Sequence, residues 1–178
     1  MHSSFVLQCR RFGERYIGDI ILGANDGIIT TFAVVAGVAG ARLPAVVVIV
    51  LGFANLVADA ISMGASNYLG SSSEEAVNGN GARRSRALPR SASTAVAFIV
   101  AGVIPLLAYL FPIAPEYTFQ VAVVLTGVAL FAVGASRSVI IPKPWWIAGI
   151  EMFAVGAAAA TAAYLVGWGL RLLVNGAL

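Results

Sequence analysis

The sequence predicts an all-α integral membrane protein with five transmembrane helices, and three observations carry that reading. Hydrophobic residues make up 60% of the 178-residue chain, charged residues 11%, and the mean hydropathy is +0.91. A soluble domain carries about 25% charged residues, so 11 basic and 8 acidic side chains could not cover a water-facing surface. Apolar stretches long enough to cross a bilayer recur five times along the chain. The basic residues fall on alternate connections between those stretches, as membrane topology demands.

Each element follows in order. The first span is 17–40, interrupted by Asp19 and by Asn25-Asp26-Gly27. Asn-Asp-Gly signals a turn in a soluble chain. Here it must lie inside the membrane, because the stretch beyond it, about 15 residues, is too short to cross alone. Ala41-Arg42-Leu43-Pro44 makes a tight turn, and Pro44 suits the first turn of the second span, 45–68. Residues 70–93, rich in Ser, Gly, Asn and Arg, read as an exposed loop. The third span is 94–110, with a kink expected at Pro105. A short connection leads to the fourth span, 117–135, and Pro142-Lys143-Pro144 bars its continuation. Trp145 and Trp146 then open the fifth span, 146–169, at the depth of an interfacial tryptophan belt. Residues 1–16 form a separate polar segment, either a surface helix or a disordered tail, without the apolar core of a signal peptide. Residues 17–178 form one membrane domain.

Five spans place the termini on opposite sides. Arg10, Arg11, Arg15, Arg83, Arg84, Arg86, Arg90, Arg137 and Lys143 share one side; only Arg42 and Arg171 occupy the other. The positive-inside rule makes the first side cytosolic, with the N-terminus there and the C-terminus outside or in a lumen. Topology therefore explains the arginines at 83–90, and no nucleic-acid partner is expected. The only histidine is His2 and the only cysteine Cys9. That composition argues against histidine-based catalysis, an internal disulfide and a cysteine zinc site, and no enzyme activity is expected. Ten arginines to one lysine, with no targeting sequence, suggest a prokaryotic plasma membrane, or a vacuolar-type internal membrane if the source is eukaryotic.

Polar residues at membrane depth cost roughly 2.5–3.5 kcal/mol each on insertion scales and are functional candidates by default. Asp19, Asp26 and Thr30 share one face of the first span, with Asn25 beside them. Asn55, Asp59, Met63 and Ser66, with Ser62, form a stripe down the second. Asp26 and Asp59 each lie roughly 13 Å from the cytosolic face at 1.5 Å per residue. If the short turn makes the two spans antiparallel neighbours, Asp26, Asp59 and Met63 surround one point. Carboxylates with a thioether suit a divalent transition ion better than Mg²⁺ or Ca²⁺. Bland alternatives stand beside this reading: a hydrogen-bonded buried acid for each aspartate, and gap-filling in the core for Met63. Gly23, Gly27, Ala33, Gly37 and Gly40 on the first span, with Gly52, Ala60 and Gly64 on the second, allow close helix approach.

At these residues the sequence resembles the vacuolar iron transporter family. The first matching motif is Gly23-Ala24-Asn25-Asp26-Gly27-Ile28-Ile29-Thr30-Thr31, continuing through Ala36-Gly37-Val38-Ala39-Gly40-Ala41. The second is Ala60-Ile61-Ser62-Met63-Gly64 with Tyr68-Leu69 and Ser73-Glu74, and a weaker third is Gly149-Ile150-Glu151-Met152. The resemblance implies a five-helix homodimer that carries Fe²⁺, and often Mn²⁺, out of the cytosol in exchange for protons, with no permanently bound cofactor. It assigns the family's essential aspartate to Asp26 and its essential methionine to Met63. Plant members carry a glutamate where this chain has Asn55, and Asp59 stands one turn later. The acid on the second span is therefore displaced. Asp59 is the expected third ligand, and Asp19, Asn25, Thr30, Asn55, Ser62, Ser66 and Glu151 are second-tier pathway or coupling residues. The long cytosolic metal-capture domain of plant and fungal members is absent, and only Glu74 and Glu75 stand in its place.

Two other classes compete. A non-transporting scaffold would use the polar stripes only to assemble, and metal uptake into sealed vesicles separates it from a transporter. An intramembrane aspartyl hydrolase would pair Asp26 with Asp59. Such enzymes use Gly-x-Gly-Asp, and Tyr16-Ile17-Gly18-Asp19 lacks the first glycine.

Overall fold

The structure, a computed structural model, describes residues 2–78, 81–111 and 115–176, with side chains described over 16–73, 88–111 and 115–175. Six α-helices follow one another: α1 (His2–Gly40), α2 (Ala45–Asn78), α3 (Gly81–Gly102), α4 (Ile104–Leu110), α5 (Thr118–Ser136) and α6 (Trp145–Gly176). Short 3₁₀ turns precede and follow α5. Among the described residues there is no strand. Five stretches are long and apolar enough to cross a membrane: Tyr16–Gly40, Ala45–Ser73, Leu88–Leu110, Pro115–Val139 and Trp145–Asn175. The protein is an all-helical, multi-pass membrane protein. Large apolar side chains such as Val50, Val57 and Ile61 on α2 and Val124 and Val128 on α5 face outward, which suits lipid rather than water.

The helices outrun their expected ends. The stretch 70–93, read above as a loop, is helical through Asn78 in α2 and again from Gly81 in α3. Hydroxyls in and beside it bond back to carbonyls three or four residues earlier and leave the helix unbroken. Ser73 Oγ donates to the Leu69 carbonyl, Ser93 Oγ to Arg90 and Thr94 Oγ1 to Arg90, at 2.9, 2.8 and 3.1 Å. Residues 2–16 are helical and run on into the first span, since α1 is continuous from His2.

Pro105 does break the third span. It cannot donate a hydrogen bond, and the Leu106 N–H turns to the Val103 carbonyl, three residues back, at 2.9 Å. The chain thereby passes from α3 to α4 with Pro105 in the first turn of the new helix. At the end of α1, Arg42 holds φ = 56°. The Arg42 and Leu43 N–H groups bond the Ala39 and Val38 carbonyls at 3.0 and 3.1 Å. This is a Schellman cap with arginine where glycine is usual.

Packing departs from the expected order. α1 is the central helix and packs most closely on α3, then on α6, while α2 leans mainly on α3. The turn at 41–44 keeps α1 and α2 together at one end, where Phe32, Val35 and Val38 meet Val48 and Leu106. Further along they part: Leu56 and Ala60 of α2 pack on Phe98 of α3, and Ile28 of α1 packs on Ala101, Leu130 and Met152. Glycine decides this. A Cβ on Gly23 would strike the Thr94 carbonyl and one on Gly27 the Phe98 carbonyl, and Gly40 and Gly167 close the α1–α6 contact similarly. The small-residue face of α1 is therefore filled by its own chain. Face-to-face backbones of this kind replace the hydrophobic drive that lipid does not supply between helices.

Gly23→Val and Gly27→Val should each destabilise the fold by about 1–3 kcal/mol or more, because backbone cannot retreat as a side chain can. Gly18 has nothing within 4 Å, so Gly18→Ala should be neutral or stabilising by up to about 1 kcal/mol. Unfolding of the purified protein in detergent checks the contrast; equal losses at all three positions would refute it.

Candidate functional site

The polar residues at membrane depth divide into charges that are paired and charges that are not. Asp19, one turn inside the first span, is buried and meets Arg90 of α3 through two contacts, Nε–Oδ2 at 2.9 Å and Nη2–Oδ1 at 3.1 Å. A two-pronged arginine–carboxylate pair is rigid and directional. It ties α1 to α3 at the same face as Gly23. Glu151 on α6 is engaged as well, by Lys143 Nζ at 2.7 Å, and both side chains are more than two-fifths exposed. Solvent screens such a surface pair, so it adds little to stability.

Asp26 and Asp59 are different. Each is partly buried, and neither has an ion-pair partner among the described residues. Asp59 lies within electrostatic range of Asp26. Their own helices orient them. Asn55 Nδ2, one turn before Asp59, donates to Asp59 Oδ2 at 2.7 Å. Thr30 Oγ1 donates to the Asp26 backbone carbonyl, not the carboxylate, at 2.9 Å. The Asp26 carboxylate thus keeps its lone pairs, and the Asp59 carboxylate keeps one oxygen free of that bond.

Met63 stands one turn beyond Asp59 and is partly buried, packing against Leu56, Ala60 and Phe98. The core-filling role weighed from the sequence is therefore occupied, and its sulfur remains on the helix that carries Asp59. Ser62 and Ser66 are exposed on α2. Asn25 goes elsewhere. It lines a separate groove of about 410 Å³ with Ile21, Arg137 and Met152, where its Oδ1 is buried without a hydrogen-bond partner.

Among the described residues, no three His, Cys, Asp or Glu side chains gather at one place. The structure leaves Asp26 and Asp59 without a basic partner among the described residues, places Met63 one turn beyond Asp59, and pairs Asp19 with Arg90 and Glu151 with Lys143. Sequence reasoning missed two cross-helix contacts that shape this region: Arg90 with Asp19, and Asn67 Nδ2 donating to Thr94 Oγ1 at 2.9 Å. Arg90 was hidden by its assignment to a loop. Asn67 adjoins Ser66 of the polar stripe, and that proximity was the available signal.

The chain matches the VIT family model over residues 17–90 and 78–168, most of its length. It is 33% identical over 132 residues to the rice protein named vacuolar iron transporter homolog 5 (Oryza sativa subsp. japonica), covering 67% of this chain and 64% of that protein. It is 51% identical over 55 residues to the vacuolar iron transporter of Plasmodium falciparum, covering 31% of this chain and 20% of that protein. With vacuolar iron transporter 1 of Arabidopsis thaliana it shares 44% identity over 59 residues, covering 33% and 24% respectively. The chain spans less than two-thirds of the length of these relatives. With a family match running from the first span into the fifth, the chain belongs to the VIT family, that of the vacuolar iron transporters.

Proposed function

We propose that this protein is a membrane transporter that moves divalent transition-metal ions, Fe²⁺ and/or Mn²⁺, out of the cytosol in exchange for protons. One observation carries the reading: two partly buried carboxylates at membrane depth, Asp26 and Asp59, have no basic partner among the described residues, whereas Asp19 and Glu151 each have one. A structural acid in a membrane finds a cation or fills its hydrogen bonds, as Asp19 does with Arg90. A pair left open suits a passing divalent ion. The names of the relatives, vacuolar iron transporter, support the same class.

In this reading the arginine-rich end is cytosolic, and the N-terminus lies there. Asp26 supplies charge that replaces lost hydration, and Met63 supplies a soft sulfur that favours Fe²⁺ or Mn²⁺ over Mg²⁺. To coordinate the ion, Met63 turns its sulfur away from the Phe98 cluster. One copy offers too few ligands for a six-coordinate ion without water, so the working unit is a homodimer with α1 near the twofold axis. The glycine face of α1 is filled by α3 and α6. The dimer contact therefore uses the stripe carrying Leu22, Asp26, Ile29 and Ala33, which the fold leaves partly open.

Asp59 is assigned the proton. Without metal, a proton held on the pair offsets the repulsion between two carboxylates in low-dielectric surroundings. An ion arriving from the cytosol favours both being ionised and expels that proton. A proton arriving from the acidic side then weakens the site and releases the ion. Metal and proton so exchange over one shared pair. The cargo ion is substrate, and no resident cofactor is invoked.

Asp26→Asn and Met63→Ala should each remove most metal uptake by proteoliposomes while the protein still folds. Met63→Ala should also narrow the preference for Fe²⁺ over Mg²⁺; an unchanged preference would take the ligand role from Met63. Asp59→Asn should keep downhill metal flux but lose its acceleration by an imposed pH gradient, whereas gradient-driven transport at the normal rate would reject the coupling role. Uptake of no divalent ion by the intact protein under any gradient would favour the scaffold reading. In a Cys9-free background, single cysteines along α1 should crosslink between copies with helical periodicity, strongest at positions 22, 29 and 33 and weakest at 28 and 35. A flat profile would remove α1 from the interface.

A further inference from the structure

The end of the bundle opposite the arginine-rich one holds two of the eleven basic residues, Arg42 and Arg171. Both line the same groove. It has a volume of about 850 Å³ and runs between the C-terminal part of α1, the start of α2 and the last turns of α6. Its walls are apolar, with Val34, Val38, Leu51, Ala163, Val166 and Leu170 among them. The two arginines line it toward the ends of their helices, past the crossing where Gly167 packs so closely on α1 that a Cβ there would strike the Gly37 carbonyl. That contact fixes the spacing of the two cations, one residue past Ala41 on one side and one turn past Gly167 on the other. Neither arginine has an ion-pair partner among the described residues.

Arg42 is informative for a second reason. It occupies a left-handed position, φ = 56°, where glycine is the ordinary choice. A strained residue that keeps a long cationic side chain points to a use for the charge. Guanidinium forks match phosphate oxygens in geometry and charge. From Arg42 back to Val34, and from Arg171 back to Ala163, is eight residues in each case, or about 12 Å of helix. The groove therefore offers a cationic mouth at the membrane surface and an apolar channel running about 12 Å inward from it.

We infer that this groove is a binding site for an anionic phospholipid of the leaflet at that end, its phosphate held between Arg42 and Arg171 and one acyl chain lying along α1 and α6. Charge complementarity at the mouth and apolar walls at the depth of the acyl chains select this occupant over a soluble anion, which would leave the walls uncovered. The site is independent of the ion that the protein carries.

The test is lipid retention by the purified full-length protein, read by native mass spectrometry after exchange into mixed micelles of phosphatidylglycerol and phosphatidylcholine. The intact protein should retain phosphatidylglycerol in preference by roughly tenfold to thirtyfold, since each arginine near the surface adds a comparable electrostatic share. Arg42→Gly suits the backbone and removes a charge, so its loss of preference cannot be laid to misfolding. Arg171→Gln should lose a similar share, and Ala163→Phe, which fills the channel, should lower retention of both lipids. Three results would overturn the site: no preference in the intact protein, a preference unchanged in the Arg42→Gly/Arg171→Gln double variant, or full displacement of the lipid by inorganic phosphate. A cysteine at Val166 that crosslinks efficiently to a second copy would give the groove to a protein interface and reject the lipid.

Discussion

The close crossing of α1 over α3 is the constraint on which the rest of the bundle depends. Gly23 and Gly27 let the α1 backbone lie against the Thr94 and Phe98 carbonyls, and Gly102 returns the contact against the Gly27 carbonyl. No larger residue fits on either side of that seam. With α3 held there, Phe98 is buried behind α1 and becomes the surface on which Leu56, Ala60 and Met63 of α2 pack. The position of α2, and with it Asp59, is therefore set by α3 rather than by the short turn that joins α1 to α2. The Arg90–Asp19 pair reinforces the same seam at its end, where two charges neutralise each other at a cost that neither could meet alone.

Much of this was legible in the sequence because a bilayer leaves few choices. Apolar length gave five spans, since a chain in lipid must satisfy its backbone within each segment. Their ends were less legible. Polar composition at 70–93 reads as loop in water-exposed chains, yet a helix needs no apolar face to continue past the membrane once it has been nucleated inside it. The serines there hydrogen-bond back to preceding carbonyls and leave the helix intact. Neighbour order was not legible either. Loop length says which helices can touch, but glycine placement says which do, and the partner of a glycine is invisible until the crossing is known.

The candidate site shows the same division. Spacing brought Asp26, Thr30, Asn55, Asp59 and Met63 onto two faces, and the structure keeps Asp26 and Asp59 within electrostatic reach. It could not tell Asp19 from Asp26, because both stand on one face of one helix seven residues apart. Their difference arises across the interface. Asp19 lies opposite an arginine of α3, whereas the region of α3 beyond the first turn of its span is apolar, with Phe98, Ile99 and Val100. Asp26 therefore has no cation available from its closest neighbour.

That asymmetry accounts for how one helix carries two aspartates to different ends. A carboxylate with a fixed arginine is already neutralised, and replacing that arginine by a hydrated metal would lose a two-pronged pair to gain a transient one. A carboxylate with no basic partner and a second carboxylate within electrostatic range is poised the other way: repulsion makes the bare pair worse and a bound cation better. The tight packing of α1 on α3 sets this difference, because it fixes which aspartate meets Arg90 and which does not. The bundle thus separates a structural acid from an open one by helix register alone, without any change of residue type.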